Sequence, residues 1–288
     1  MNTAVLRERV VVVTGAANGI GAATARQLAA AGVRLVIADR NAAKLAALHE
    51  ELGRQTSVLA VPTDVRSADA TRALAERAGA AWGRVDAVVH CAGVVHPGHF
   101  SSMTDTALRC QLDTNIGGTV NIARAFVPLF ERQRGGHLVF FASLGGVVPM
   151  PGEAAYCMSK YAVRGLAFSL ALELKDAGVA ISVISPDSTR TAMLDAEARD
   201  DGHAISFSNP PLEPAEVARA VLRTLITPQL EVTVPGARGW FIRLLGAFPS
   251  AFEPLLPLFD RTGRSRRARY RAALPAVPPP TLCHEAIR

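Results

Sequence analysis

A tyrosine and a lysine lie four residues apart in the apolar segment AAYCMSKYAVRGL, residues 154–166. If this segment is a helix, Tyr156 and Lys160 share one face and the ammonium group lies near the phenol. A phenol of pKa about 10 is a poor base at neutral pH, but a nearby cation stabilises the phenolate by roughly 1.4 kcal/mol per pKa unit. The spacing therefore predicts a lowered pKa for the Tyr156 phenol. The structural alternative is a surface pair in which the lysine stem packs beside the ring.

Glycines cluster where the first apolar run ends. The run RVVVVTG ends at Gly15, and the overlapping motif TGAANGIG adds Gly19 and Gly21. A dinucleotide pyrophosphate needs glycines at a strand-to-helix turn, because the backbone must approach the phosphates and the helix N-terminus must point at their charge. The spacing G-x-x-x-G-x-G differs from the commoner G-x-G-x-x-G, so a tight turn without a ligand is the alternative. The position between a strand and a helix favours a cofactor turn.

An acidic residue, Asp39, ends the second apolar run, RLVIAD. It lies near the offset of roughly 20 residues at which an acid meets the adenosine ribose of a dinucleotide. A carboxylate there accepts from the 2′-hydroxyl and repels a 2′-phosphate, which favours NAD over NADP. Two alternatives stay open, because Asp39 can cap the helix that begins near Asn41 and because Arg40 is of a type that holds a 2′-phosphate.

Apolar runs alternate with helical segments along most of the chain. Seven runs predict strands, namely RVVVVTG, RLVIAD, SVLAVPTDV, VDAVVHCAG, HLVFFAS, VAISVISP and LEVTVPG. Helical segments separate them, including a long one from Thr104 to about Arg132. Nearly all-apolar strands between helices indicate a parallel sheet covered on both faces. We therefore predict a doubly wound α/β fold with ligands at the carboxyl ends of the strands.

Composition and charge exclude several classes of protein. The 288 residues are 49% hydrophobic, enough for one domain with a large core. The net charge of +6 resides in RTGRSRRARYR, residues 261–271, so we expect no nucleic-acid partner and interpret this segment as a solvated terminal helix. Neither a signal-peptide pattern nor an apolar run of about 18 residues is found, so we expect a cytoplasmic protein. The cysteines lack C-x-x-C spacing, and we expect no metal site.

Ser143 ends the fifth predicted strand, thirteen residues before Tyr156, and completes an ordered set of motifs. From about residue 9 to 236 the sequence resembles the short-chain dehydrogenase/reductase family, which implies a Rossmann-type sheet flanked by helices. TGAANGIG resembles the family's cofactor turn, TDV its adenine contact, and NIGG the segment that holds its helix asparagine, here Asn115. Ser143, Tyr156 and Lys160 match its active-site residues.

The resemblance implies a role for each of these residues. Ser143 is expected to hold the substrate oxygen, Tyr156 to transfer the proton, and Lys160 to bind the nicotinamide ribose. Asn115 is expected to anchor a water in the proton relay. The implied cofactor site, without a metal, consists of Gly15, Asn18, Gly19, Ile20, Gly21, Asp39, Arg40, Asp64, Val65, Cys91, Ala92, Gly93, Tyr156, Lys160, Pro186, Thr189 and Thr191.

Two segments depart from the family pattern. Where the family commonly has asparagine-asparagine-alanine-glycine, this chain has HCAG, residues 90–93. The small pair that lets the backbone pass the cofactor is kept, but the polar side chain is lost, which bears on the stability of the strand. After the sixth strand the usual proline-glycine appears as Pro186-Asp187. Asp187 makes the turn less permissive than glycine and puts an acid near the nicotinamide, where it serves either the substrate or the turn. Thr191 still matches the residue that contacts the carboxamide.

The loops expected around the substrate are mainly apolar. VVHPGHF follows Gly93 and LGGVVPM follows Ser143, and neither carries an arginine or lysine to bind a carboxylate, a phosphate or coenzyme A. A lipophilic alcohol or ketone is therefore the predicted substrate.

The chain divides into three parts by composition. Residues 1–239 are predicted to form the NAD(P)-binding domain with the catalytic site. Residues 240–274 join a stretch dense in Trp, Phe and Leu to the arginines, and form a helical extension that serves as a lid, a subunit contact or a membrane-surface contact. Residues 275–288 are rich in proline and predicted to be disordered.

These observations predict an NAD-dependent oxidoreductase that interconverts a lipophilic secondary alcohol and its ketone, with tyrosine as the proton-transfer group. One alternative is an NADPH-dependent carbonyl reductase of lipid-like ketones. Another is a non-catalytic NAD(P)-sensing protein, against which the complete active-site set argues. The family resemblance further implies a homodimer or homotetramer.

Overall fold

The computed structural model describes residues 2–200 and 204–275. Seven parallel strands form one sheet in the order β3-β2-β1-β4-β5-β6-β7. They are β1 (Val10–Thr14), β2 (Arg34–Asp39), β3 (Val58–Pro62), β4 (Ala87–His90), β5 (Gly136–Phe141), β6 (Val179–Pro186) and β7 (Glu231–Val234). The predicted doubly wound α/β fold is confirmed. The predicted disorder of residues 275–288 falls, beyond Pro275, outside the described residues.

Helices flank the sheet and continue beyond its last strand. Within the described residues the α-helices are α1 (Gly19–Ala30), α2 (Ala42–Gly53), α3 (Ala68–Trp82), α4 (Asp105–Leu112), α5 (Gly118–Gln133), α6 (Ala154–Glu173), α7 (Ala192–Arg199), α8 (Pro214–Ile226), α9 (Gly236–Ala247), α10 (Pro249–Phe252) and α11 (Leu256–Ala272). Side-chain oxygens of Asn41, Ser67 and Thr104 cap α2, α3 and α4 by accepting from backbone N–H groups. Such caps explain where these helices begin.

The central strand β1 is buried on both faces. Val11 and Val13 belong to the hydrophobic core on one side of the sheet, and Val10 and Val12 belong to the core on the other. Successive side chains of a strand point to opposite faces, so a strand covered by helices on both sides must be apolar at every position. This explains the unbroken run of valines.

The strand order places a crevice at the ends of β1 and β4. Strand β1 has β2 on one side and β4 on the other, so the chain leaves β1 and β4 toward opposite halves of the sheet. Their last residues, Thr14 and His90, are paired in register. Ligands of doubly wound folds bind at this reversal point, beyond the carboxyl ends of the strands. The glycine turn and the HCAG segment both begin there.

The long helix predicted from Thr104 to about Arg132 is interrupted. A π-helical segment, Asp113–Gly117, separates α4 from α5 and contains Asn115. Single π turns inside helices are frequent at functional sites, because the extra residue changes the direction of the side chains around it.

Helices α9 to α11 form the C-terminal extension. Because α9 begins at Gly236, it crosses the predicted domain boundary after residue 239. Pro249 and Pro257 lie in the first turns of α10 and α11, where the missing N–H costs no helical hydrogen bond. Across residues 2–200 and 204–275, no helix has the length and apolar character needed to cross a membrane.

Candidate active site

The glycine turn after β1 is packed too closely for side chains. Gly15 has a φ of 64°, and a Cβ atom there would lie 2.6 Å from the backbone nitrogen of Ala92. A Cβ atom at Gly21 would lie 2.0 Å from the carbonyl oxygen of Gly15. Glycine is therefore required by the close approach of this turn to the segment after β4 and to α1. The resulting bare backbone at a helix N-terminus fits a dinucleotide pyrophosphate.

Residues predicted from distant motifs meet at the start of α1. Gly19 has a φ of 52°, and a Cβ atom there would lie 3.0 Å from Cγ2 of Thr191. Asn18 precedes the helix, and its Oδ1 accepts a hydrogen bond of 3.1 Å from Nζ of Lys44. The glycine turn thus contacts the segment after β6 and has a lysine beside it that the sequence reasoning did not identify.

Asp39 binds the glycine turn through its carboxylate. Oδ2 accepts from the Ala17 backbone nitrogen at 3.1 Å, and Oδ1 accepts from the Asn41 backbone nitrogen at 2.9 Å. The cap of α2 is Asn41, whose Oδ1 accepts from the Lys44 backbone nitrogen at 2.9 Å. The alternative in which Asp39 caps this helix is therefore wrong. Asp39 lies beside the turn, at the place expected for an acid that accepts a hydrogen bond from the adenosine ribose.

The segment after β3 is held by neighbouring side chains. Arg66 donates to both carboxylate oxygens of Asp64, at 3.0 and 2.9 Å from Nε. Burial opposes ionisation of Asp64, but the hydrogen bonds and charge of Arg66 outweigh it and lower the Asp64 pKa below its usual range. The carbonyl oxygen of Val65 accepts from Nδ2 of Asn121 at 3.0 Å. The adenine contact expected of Asp64 and Val65 stays a prediction.

His90, in the HCAG segment, forms a polar link between two strands. Its Nδ1 shares a hydrogen bond of 2.7 Å with Oγ1 of Thr14, which joins the ends of β4 and β1. Burial, with repulsion from Lys160, lowers the His90 pKa to about 3, so the ring is neutral at physiological pH. Nδ1 of His90 thus ties the ends of the two strands, while Nε2 of the same ring is buried without a hydrogen-bond partner among the described residues.

Asn115 anchors the loop after β4 to α6, the helix that carries Tyr156 and Lys160. Its Oδ1 accepts from the Val94 backbone nitrogen at 2.9 Å, and its Nδ2 donates to the Val94 carbonyl at 2.9 Å and to Oγ of Ser159 at 3.0 Å. A Cβ atom on Gly93 would lie 3.3 Å from Oδ1 of Asn115 and 3.4 Å from Nζ of Lys160. Asn115 and Lys160 therefore both contact this glycine. The water-anchoring role of Asn115 stays a prediction.

Tyr156 and Ser143 both line one cavity. Oγ of Ser143 accepts from the Gly145 backbone nitrogen at 3.1 Å, and the Tyr156 hydroxyl lies 4.0 Å from Sδ of Met193. Burial, and then the charges of Glu197 and Glu153, raise the Tyr156 pKa well above its usual range, although the nearby Ser143 hydroxyl opposes this shift. The phenol is therefore protonated at neutral pH.

Lys160 shares the helix face of Tyr156, as predicted. Its Nζ lies 5.6 Å from the centre of the tyrosine ring and donates to the Phe141 carbonyl at 3.0 Å. The alternative of a surface pair is wrong, because Lys160 is only 5% exposed. Burial lowers the Lys160 pKa to about 8. The predicted lowering of the tyrosine pKa by this cation is also wrong for the protein without cofactor, since burial and the nearby acids dominate.

One cavity gathers much of the predicted site. It is lined by Ser143, Tyr156 and Lys160 and by the predicted cofactor residues Ile20, Cys91, Gly93, Pro186, Thr189 and Thr191. The predicted residues outside its lining are Gly15, Asn18, Gly19, Gly21, Asp39, Arg40, Asp64, Val65, Ala92 and Asn115. Within the described part of the chain, His, Cys, Asp and Glu side chains form no group of three or more suited to a metal ion.

Sequence reasoning missed two acids in this cavity. Glu153 and Glu197 both line it, and Oε1 of Glu153 accepts from Oγ of Ser206 at 3.1 Å. Burial raises the Glu153 pKa to about 7 and raises that of Glu197 as well. One signal could have identified Glu153, which lies three residues before Tyr156, at the N-cap of α6. The sequence carries no such signal for Glu197.

The C-terminal extension forms the far wall of the cavity. Ile242, Phe252 and Phe259 line it, and they pack in one apolar cluster with Val148 and Ile205 from the main domain. The apolar side chains of the extension thus pack over this cavity.

Part of the arginine segment binds the main domain. Arg266 donates to the Ser208 carbonyl, and Arg267 donates to the Asp200 carbonyl at 3.0 Å. The predicted helix is confirmed as α11, and Arg266 is exposed as expected, but the interpretation of its arginines as solvated is wrong for Arg267, which is half-buried. Both arginines attach α11 to the segment that follows α7.

The fold and the site together define an oxidoreductase with a dinucleotide turn and a serine-tyrosine-lysine set. Residues 9–202 match the short chain dehydrogenase family, and the chain belongs to that family.

Relatives and solved structures agree with this assignment. Oxidoreductase UcpA of Salmonella typhimurium is 35% identical over 230 residues, which are 79% of this chain and 85% of that protein. A short chain dehydrogenase/reductase from Burkholderia phymatum, solved in complex with NAD, has a TM-score of 0.76 and 27% identity over 83% of this chain and 93% of its own. The 3-ketoacyl-(acyl-carrier-protein) reductase from Brucella melitensis, complexed with NADH, has a TM-score of 0.73 and 25% identity over 81% and 99% of the two chains.

Proposed function

We propose that this enzyme uses NAD to interconvert a lipophilic secondary alcohol and its ketone. The observation that carries the proposal is the cavity in which Ser143 and Tyr156 lie together among apolar side chains. These include Phe141, Val148, Met193, Ile242, Phe252 and Phe259. Burial of apolar substrate surface against such walls favours binding by about 25 cal/mol per Å².

The charges around the cavity favour a neutral substrate. Asp187, Glu153 and Glu197 line it, and among the described lining residues the cation is Lys160, to which the ribose is assigned. A substrate carboxylate or phosphate would meet buried acids without a free arginine or lysine to pair with, which is unfavourable. A hydroxyl or carbonyl group avoids this penalty.

The chemistry of the proposed reaction divides among three side chains. Ser143 holds the substrate oxygen by hydrogen bonding, and Tyr156 gives a proton to a ketone oxygen or takes one from an alcohol. Because the Tyr156 pKa is raised, the protein without cofactor holds the protonated phenol that reduction requires. Lys160 would bind the nicotinamide ribose and stabilise the phenolate formed after proton donation. When bound, NAD supplies the hydride acceptor and NADH the hydride donor.

The proposed cofactor preference rests on Asp39, whose charge opposes a 2′-phosphate. The turn with Gly15, Gly19 and Gly21 would hold the pyrophosphate, as its bare backbone permits. A second candidate, an NADPH-dependent carbonyl reductase, is favoured by the cation at Lys44, which contacts Asn18 at the same turn. Arg40 would assist in holding a 2′-phosphate.

The proposal extends to the partners and location of the enzyme. The apolar wall formed by Ile242, Phe252 and Phe259 supports a lid role for the extension. The alternative of membrane-surface contact is supported by the exposed side chains of Trp240 and Phe248, which are 75% and 62% exposed. A homodimer or homotetramer and a cytoplasmic location stay predictions, to be tested by the mass of the assembly and by cell fractionation.

The catalytic proposal is tested by Tyr156→Phe. We expect turnover to fall by at least about a hundredfold, because the proton-transfer group is lost, while NAD affinity is retained. Tyr161→Phe is the matched control: this tyrosine lies on the same helix but donates to the Val147 carbonyl at 2.5 Å and is absent from the cavity lining.

The assay is a panel of steroids, retinoids and long-chain secondary alcohols, with the matching ketones, each measured with NAD(H) and NADP(H). Near-normal turnover by the Tyr156→Phe protein would contradict the mechanism. A preference for NADPH with ketones would select the second candidate.

A further inference from the structure

Asp187, the first residue after β6, joins several parts of the molecule. Its backbone nitrogen donates to the Val234 carbonyl at the end of β7, at 2.8 Å. Its Oδ1 accepts from the Ser188 backbone nitrogen at 2.8 Å, and its carbonyl oxygen accepts from Oγ1 of Thr189 at 2.9 Å. Asp187 therefore fixes the turn that carries Thr189 and Thr191 along the cavity.

The other carboxylate oxygen of Asp187 binds the C-terminal extension. Nη1 of Arg238, in the first turn of α9, lies 2.6 Å from Oδ2, and the aspartate side chain is only 13% exposed. At the opposite end of α9, a Cβ atom on Gly246 would lie 2.3 Å from the Val147 carbonyl oxygen. Helix α9 is thus held by an ion pair at its start and by close backbone packing near its end.

The ion pair lies on the helix face that forms the cavity wall. Ile242 follows Arg238 by four residues, so the two side chains share one face of α9. Both Ile242 and Asp187 line the cavity. A rotation or shift of α9 that broke the ion pair would therefore also move Ile242 relative to Thr189 and the reacting centre.

We propose that Asp187 and Arg238 are positioning residues that set how far the substrate cavity reaches, because their ion pair holds α9 at a fixed place beside the turn with Thr189 and Thr191. The inference rests on the proposed function for the class of substrate. A substrate long enough to contact Ile242 depends on the ion pair, whereas one that ends before α9 does not. This assigns a role to the acid that replaces the usual glycine.

The first test is Arg238→Met, which keeps an apolar stem and removes the charge and the donors. We expect the KM for a long-chain secondary alcohol to rise about fivefold, because loss of a partly exposed ion pair weakens binding by about this factor. The kcat for this substrate and the KM for a short secondary alcohol should stay within about twofold, because no reacting group is altered. Arg238→Lys should recover most of the affinity, since it restores the charge.

Two further variants separate positioning from general damage. Arg269→Met removes an exposed arginine of α11 and should leave the long-chain KM unchanged. Asp187→Asn keeps an oxygen for the Ser188 amide and removes the charge, so adding it to Arg238→Met should raise the KM little further. The proposal would be overturned if Arg238→Met and Arg269→Met changed the long-chain KM equally. It would also be overturned if the KM effects of Arg238→Met and Asp187→Asn were fully additive, or if kcat fell for short and long substrates alike.

A binding measurement distinguishes this inference from the proposed function. Calorimetry of a long-chain secondary alcohol with the NAD-loaded protein requires no turnover, and hydrogen exchange reports directly on residues 236–247. Weaker binding and faster exchange in Arg238→Met, even without turnover of any alcohol, would support the positioning role while the catalytic proposal failed. Normal turnover with unchanged binding and exchange in the variant would overturn the positioning role alone.

Discussion

Gly15→Ala should destabilise the protein because the site for its Cβ is filled by backbone. The added atom would lie 2.6 Å from the Ala92 nitrogen, 2.8 Å from the Ala92 Cα and 2.9 Å from the Cys91 carbonyl carbon. No side-chain rotation relieves contacts with main-chain atoms. The φ of 64° adds strain of about 1–2 kcal/mol for a residue with a Cβ, and overpacking adds about 1–3 kcal/mol. The expected loss is about 2–5 kcal/mol of the free energy of unfolding.

This loss is measured by urea denaturation of the wild type and the variant. A lower midpoint with an unchanged slope reports a change in stability, and NAD affinity measured below the transition should also fall because the turn has moved. The control is Gly165→Ala, an exposed glycine inside α6 whose Cβ would meet nothing within 4 Å. It should stabilise by about 0.5–1 kcal/mol. A loss below about 1 kcal/mol in Gly15→Ala would refute the argument that the approach of Ala92 selects glycine.

Two further predictions concern charge. Asp39→Ala should narrow the difference in affinity between NAD(H) and NADP(H) by relieving repulsion of the 2′-phosphate, as calorimetric titration would show; tighter NADP(H) binding by the wild type would reverse the assignment. The raised pKa of Glu153, about 7 against 4.5, means that its stabilising protonated state is lost as pH rises through that interval. Glu197→Gln removes one of the two acids, so the unfolding free energy of this variant should fall less between pH 5 and 8 than that of the wild type. Parallel pH profiles of the two proteins would contradict an interaction between Glu153 and Glu197.

Much of the fold follows from local patterns in the sequence. The valines of β1 are apolar at every position because helices cover both faces of the sheet, and that arrangement is visible as an unbroken run. The four-residue spacing of Tyr156 and Lys160 correctly predicts a shared helix face. The glycines of the turn were predictable because a turn between a strand and a helix itself favours glycine. The backbone that leaves no room for a side chain at Gly15 belongs, however, to the distant Ala92.

The electrostatics of the site were not predictable in this way. The expected effect of Lys160 on Tyr156 considered one neighbour, whereas burial and two acids determine the direction of the tyrosine pKa. Those acids come from the start of α6 and from α7, so their contact depends on how α7 packs over the cavity. The partners of Arg266 and Arg267 are likewise backbone carbonyls far away in sequence, which composition cannot reveal.

The family match ends at residue 202, although the cavity is lined by residues on both sides of that point. Residues 9–202 contain the glycine turn and the set of Ser143, Tyr156 and Lys160, so the reaction class belongs to the part of the chain that relatives share. Ile205, Ile242, Phe252 and Phe259 lie beyond that match, yet they complete the same cavity. Because contact with apolar substrate surface scales with the area buried, we propose that these later residues select among long substrates. In the proposed function, the extension acts on substrate choice, whereas the residues proposed for proton transfer lie in the region matched by the family.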